Sequence, residues 1–128
     1  MYVTIIGHGP NWAPNRSVYE QDRTIIQSHL ESMRRRFAEG TLLLGGPFDR
    51  TGGIAIWNAD SLDHARDLIQ ADPAIVAGVM NYELYELTAY FDGFNNNAAT
   101  GDVADLAEAA GHELRPSHTA VPPPLVKS

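Results

Sequence analysis

Residues 41–58 read TLLLGGPFDRTGGIAIWN, two apolar runs around a connection rich in glycine and proline. Thr41 to Gly45 and Gly53 to Asn58 have the length and aliphatic content of strands, and the segment between them has the turn chemistry of a hairpin. Strands joined this directly pair antiparallel, because a parallel pair needs a crossover of a dozen or more residues. The middle of the chain is therefore an antiparallel hairpin, and its flanks decide the fold.

Upstream, Ser17-Val18-Tyr19-Glu20 has the form of a capping box and predicts the start of a helix of about 20 residues. Ile26, Leu30, Met33 and Phe37 recur at helical spacing as its expected buried stripe, and Gly40 supplies the stop. Before it, Tyr2 to Ile6 reads as a buried strand that runs into the Gly7-His8-Gly9-Pro10 loop. Downstream, Ser61 caps a second helix with Leu62, Ala65, Leu68 and Ile69 inward, and Asp72-Pro73 ends it. A short apolar turn closes at Gly78, and Asn81 to Phe91 reads as one long strand.

The order strand, helix, strand, strand, helix, strand predicts an α+β fold of the ferredoxin-like βαββαβ plan, a four-stranded antiparallel sheet with two helices on one face. The last strand carries Tyr82 and Leu84 on one side and Tyr85, Leu87 and Phe91 on the other, so the uncovered face is too apolar for water. A homodimer through that open sheet face is expected. Residues 1–94 form the expected domain. Residues 95–128 form a C-terminal extension: a polar linker, a short helix capped by Asp102, and a polyproline-biased tail from Arg115.

With 128 residues, 44% of them hydrophobic, the chain suits one domain with a modest core. A formal net charge of −7 and a pI of about 5.0 argue against nucleic acid as a partner. Arg34-Arg35-Arg36 reads as a solvated helix terminus. The absence of cysteine excludes disulfides and thiolate chemistry. The N-terminal MYVTIIGHGP has neither a basic region nor a long apolar one, and no apolar stretch approaches 18 residues. No signal peptide or membrane partner is expected, and a cytoplasmic location is the simplest expectation.

Chemistry-bearing residues are few. HExxH, GxSxG, Walker A and GxGxxG patterns are absent from the sequence, which weakens hydrolase and nucleotide readings. Of the five histidines, His29 falls at the border of the expected buried stripe, where an imidazole is half-dry yet accessible. Simple packing at a helix edge with one hydrogen bond is the more ordinary reading of such a histidine. His64 reads as a surface residue, His8 as a turn component that can rim a pocket, and His112 and His118 belong to the extension. No metal-ligand spacing is evident. Asp72 is either a helix cap or a carboxylate held rigid for chemistry.

His29-Leu30, the run Glu39 to Pro47, Gly52-Gly53-Ile54, Ser61 to Ala65 and Ala71 to Val79 together resemble the YCII-related family over about residues 1 to 94. The resemblance implies a ferredoxin-like dimer of the dimeric α/β-barrel type, similar in fold to muconolactone isomerases. It further implies an active site centred on a histidine and an aspartate, which map to His29 and Asp72. The family includes stand-alone proteins of unknown activity and a dehydrochlorinase acting on a chlorinated hydroxyquinol. Gly7 to Asn15, with Trp12, and the chain after Phe94 depart from the compact family pattern.

These readings together predict a cofactor-free lyase or isomerase that uses a His29–Asp72 acid/base dyad on a small cyclic or aromatic metabolite, phenolic or quinonoid. No metal is expected. Trp12, Phe48, Trp57, Tyr82 and His8 are candidates to line the pocket, and Arg16 or Arg50 to hold an anionic substrate; core packing or ordinary loop positions account for each of them too. A cofactor-independent monooxygenase and a non-catalytic ligand-binding or dimerisation module are the alternatives.

Overall fold

A computed structural model describes residues 1–49 and 51–112; Arg50, His118 and the expected polyproline-biased tail lie outside the described residues. The described residues form two compact units, residues 1–87 and a second that begins at Thr88. In the first unit β1 (Tyr2–His8), β2 (Leu42–Pro47), β3 (Gly53–Trp57) and β4 (Met80–Glu86) make a four-stranded antiparallel sheet in the order β2-β3-β1-β4. Helix α1 (Arg23–Ala38) connects β1 to β2, and α2 (Leu62–Gln70) followed by the single-turn α3 (Pro73–Val76) connects β3 to β4. This is the split βαβ plan, with the hairpin at its centre: Leu42 opposes Trp57 and Pro47 opposes Gly53.

Strand alternation separates the two sheet faces. Tyr2, Thr4, Ala55, Trp57 and Leu42 point to one side and are buried. Ala65, Leu68 and Ile69 of α2 and Met33 of α1 pack over them. The Trp57 indole N–H donates to Thr4 Oγ1 at 3.0 Å, so the one polar atom of this large core side chain is satisfied. A second cluster joins Ala74, Val79 and Met80 to Ile25 and Ile26.

Four local expectations are corrected. The capping segment at Ser17 opens only a 3₁₀ turn, Val18–Glu20, and α1 begins afresh at Arg23. The break is built by Gln21, whose buried amide donates to the Ala13 and Ser17 carbonyls and accepts from the Ala13 N–H. Asp22 then accepts from the Ile25 N–H and becomes the cap. Within α1, Ile26 and Met33 of the expected stripe are half-buried and packed, but its other two members, Leu30 and Phe37, are exposed, and Ser32 is the buried residue of the helix. In α2, Ala65, Leu68 and Ile69 are buried as expected, whereas Leu62 is exposed.

The fourth concerns the last strand, which ends at Glu86 instead of Phe91. Its partner β1 starts at Tyr2, so after the Tyr2–Glu86 pair and the Leu87 N–H to Met1 carbonyl bond the ladder has no further rungs. Phe91 belongs to the second unit, in a small hairpin of β5 (Phe91–Asp92) and β6 (Asn97–Ala98), followed by α4 (Val103–Ala109) with Asp102 as its cap. Among the described residues no helix is long and apolar enough to cross a membrane.

Candidate functional site

The end of α2 and the start of α3 place one carboxylate. Asp72 has extended backbone at the N-cap of α3, with Pro73 in the first turn, and its Oδ2 accepts from the Ala74 N–H at 3.0 Å. The same carboxylate, only 2% exposed, meets α1: His29 Nδ1 lies 2.9 Å from Oδ1 and 2.8 Å from Oδ2. Asp72 therefore caps α3 and meets His29 at once. Its capping bond fixes the side chain, and the fixed side chain orients the imidazole.

An ionised carboxylate only accepts hydrogen bonds, so the nitrogen facing it carries the proton. The neutral ring is then the Nδ1–H tautomer. Nε2, which has no hydrogen-bond partner among the described residues, is left as a basic lone pair. His29 and Asp72 both line a cavity of ≈ 360 Å³ between α1 and the helix-covered face of the sheet. Its walls are mainly apolar, with Ile26, Met33, Leu42 and Ile75 among them. No lysine or arginine lines it among the described residues. A mainly apolar pocket with one oriented imidazole–carboxylate pair at its wall is an arrangement that suits proton transfer on a bound organic ring.

The other candidates separate by position. Trp12, Phe48 and Trp57 line the same cavity; Trp57 does so from the core, at 1% exposure, whereas Phe48 stands half exposed at the mouth. His8 and Arg16 border a shallow depression that shares Trp12, Ser17 and Thr51 with the cavity. The His8 ring stacks on Trp12 with centroids 4.0 Å apart and planes within 8°, and its Nε2 shares a hydrogen bond with Thr51 Oγ1. Tyr82 packs against the hydrophobic core away from the cavity. Arg50 lies outside the described residues. His64 serves its own helix terminus, where Nδ1 accepts from the Asp60 N–H.

The loop from Gly9 to Gln21 carries two of the sequence candidates, Trp12 and Arg16. It is pinned at one end by Gly9 N–H to Val79 and Asn11 N–H to Gly78 carbonyl bonds, and a Cβ at Gly9 would meet the Gly78 carbonyl oxygen at 2.2 Å. Gln21 clasps the other end. Gly52 has a φ of +76°, and a Cβ there would meet the Ile6 carbonyl oxygen at 2.6 Å, so the opposite rim also needs glycine. Among the described residues no three His, Asp or Glu side chains gather as a metal site.

Known proteins resemble this chain in sequence and in fold. Uncharacterized protein YjpA of Bacillus subtilis (strain 168) is 41% identical over 54 residues, which span 41% of this chain and 64% of that protein, a little under two thirds of its length. The solved structure of 5-chloro-2-hydroxyhydroquinone dehydrochlorinase (TftG) from Burkholderia phenoliruptrix AC1100, in complex with 2,5-dihydroxybenzoquinone, superposes with a TM-score of 0.53. At 20% identity it covers 76% of this chain and 100% of its own, and it shares the α+β fold. The YCII-related domain profile matches residues 1–88, the whole sheet with α1 to α3 and the His29–Asp72 pair, and the chain therefore belongs to the YCII-related domain family.

Proposed function

We propose that the protein is a lyase or isomerase in which His29 and Asp72 act as a general acid/base pair on a small cyclic or aromatic, phenolic or quinonoid, metabolite. The observation that carries this reading is the bond from His29 Nδ1 to a buried, capped carboxylate at the wall of a largely apolar cavity. Nε2 takes a proton from a ring hydroxyl or an acidic carbon. The freed electron pair forms a new π bond, and either a neighbouring leaving group departs with its bonding pair or the imidazolium returns the proton to another carbon. Asp72 stabilises the imidazolium between these steps, and Trp12, Phe48 and Trp57 flank the ring. The chlorinated hydroquinone named for the TftG fold neighbour is of this substrate class.

General acid/base catalysis contributes about 10²–10⁴ in rate. The test is turnover of hydroxylated and halogenated hydroquinones, with oxygen uptake followed in parallel. His29→Gln is expected to lower kcat by about 10²–10⁴ with the fold intact. A folded variant with undiminished turnover would remove the dyad mechanism, and stoichiometric oxygen uptake would replace it with a monooxygenase.

The active unit in this proposal is a homodimer. Val3, Ile5, Ile54, Ile56, Leu44 and Tyr85 share the sheet face opposite the helices. Ile5, Leu44 and Tyr85 on that face are exposed, and a second copy of the same face is the simplest cover.

A further inference from the structure

The cavity beside His29 and the depression beside Arg16 are contiguous, because Trp12, Ser17 and Thr51 line both. Their chemistry differs. The cavity has apolar walls and no described cation, whereas the depression is bordered by Arg16, His8, Asn15 and Thr51. A ring alone would use the first compartment and leave the second solvated.

Arg16 is well placed to serve a ligand. It makes no ion pair within 4 Å among the described residues, although its charge acts on the Glu20 carboxylate, and its backbone is tethered because the Gln21 amide donates to the Ala13, Arg16 and Ser17 carbonyls. Stacking on Trp12 and the bond to Thr51 hold the His8 ring in one orientation on the neighbouring wall. Asp49 lines the cavity on the side of Phe48, and its charge disfavours an anion there.

We propose that the substrate is a cyclic or aromatic carboxylic acid: its ring occupies the cavity beside His29, and its carboxylate lies in the depression, paired with Arg16 and bordered by His8. This rests on the cavity being the substrate site. A planar guanidinium matches a carboxylate with two parallel N–H···O bonds. Arg16 thus sets specificity for the anionic substituent, and His29 handles the proton.

Binding separates this inference from the catalytic one. 3-Hydroxy-2-naphthoate and 2-naphthol have the same bicyclic ring with and without the carboxylate, and both are titrated calorimetrically into the full chain. The expected result is about fivefold or greater preference for the naphthoate, declining as salt rises. Arg16→Gln abolishes the preference and leaves the 2-naphthol affinity unchanged, Asp49→Asn increases the preference, and His29→Gln retains it. Equal affinities in the wild type, no binding of either probe, or a preference that survives in Arg16→Gln would overturn the proposal. Failure of the dyad reads out separately, as undiminished turnover in His29→Gln.

Discussion

Asp72 satisfies two donors from different parts of the chain, the Ala74 N–H and the His29 ring, and the two bonds respond differently to substitution. Asn and Ser are competent caps, whereas Ala is not. Asp72→Ala is expected to lower stability by about 1–3 kcal/mol, through the lost cap and the unpaired buried donors. Asp72→Asn retains the cap, and its melting temperature stays close to wild type. With an asparagine oxygen on Ala74, however, the amide nitrogen faces the imidazole and favours the tautomer with hydrogen on Nε2. Turnover is then expected to fall in Asp72→Asn about as far as in His29→Gln, by roughly 10²–10⁴. Circular dichroism melts beside initial rates check this; equal rates in wild type and Asp72→Asn would leave Asp72 as a cap alone.

Helix α1 displays the difference between an apolar pattern and a buried face. Hydropathy points to Ile26, Leu30, Met33 and Phe37, yet Leu30 and Phe37 are exposed, and Ile26 and Met33 share the packed side with Ile25, His29 and Ser32. Phe37→Ser is therefore expected to change stability by no more than about 0.5 kcal/mol. Ser32→Leu, which overfills a buried position, is expected to cost about 1–3 kcal/mol; denaturant midpoints compare the two. The segment before α1 has its own weak point. Gln21→Leu leaves the Ala13 N–H and carbonyl without their partner, with an expected loss of about 1–3 kcal/mol and a raised KM, because the loop bearing Trp12 and Arg16 loosens. The 3₁₀ turn is expected to weaken in acid. The Ser17 N–H, above all, holds the Glu20 carboxyl below its ordinary 4.5. A depressed folded value gives stabilisation that is present above the unfolded pKa and lost as pH falls through the folded one. NMR shifts of the Ser17 amide are expected to move in that acidic window and to stay flat through neutrality.

At the scale of the molecule, the covered face of the sheet holds the cavity and the uncovered face is available for a partner copy. Ile5→Lys or Ile54→Lys on the uncovered face is expected to leave a folded monomer, read by sedimentation; a wild-type chain that sediments as a monomer at micromolar concentration would count against the dimer. The sequence by itself determined the βαββαβ order, because strand and helix periodicities, the central hairpin and the Gly40 and Asp72-Pro73 signals act over a few neighbouring residues. It also singled out His29 and Asp72 as residues to bring together, first by helix position and then by family resemblance. Only tertiary structure decided that Ser32 is inward on α1 while Leu30 and Phe37 are exposed, since that depends on what the sheet and α3 present to the helix. The same holds for the end of β4, set by where β1 begins, and for Tyr82, drawn into the core and away from the cavity. The 2.8 Å contact between His29 and Asp72, 43 residues apart in the chain, belongs to this second class, because packing of α1 against α3 is what brings the two side chains together.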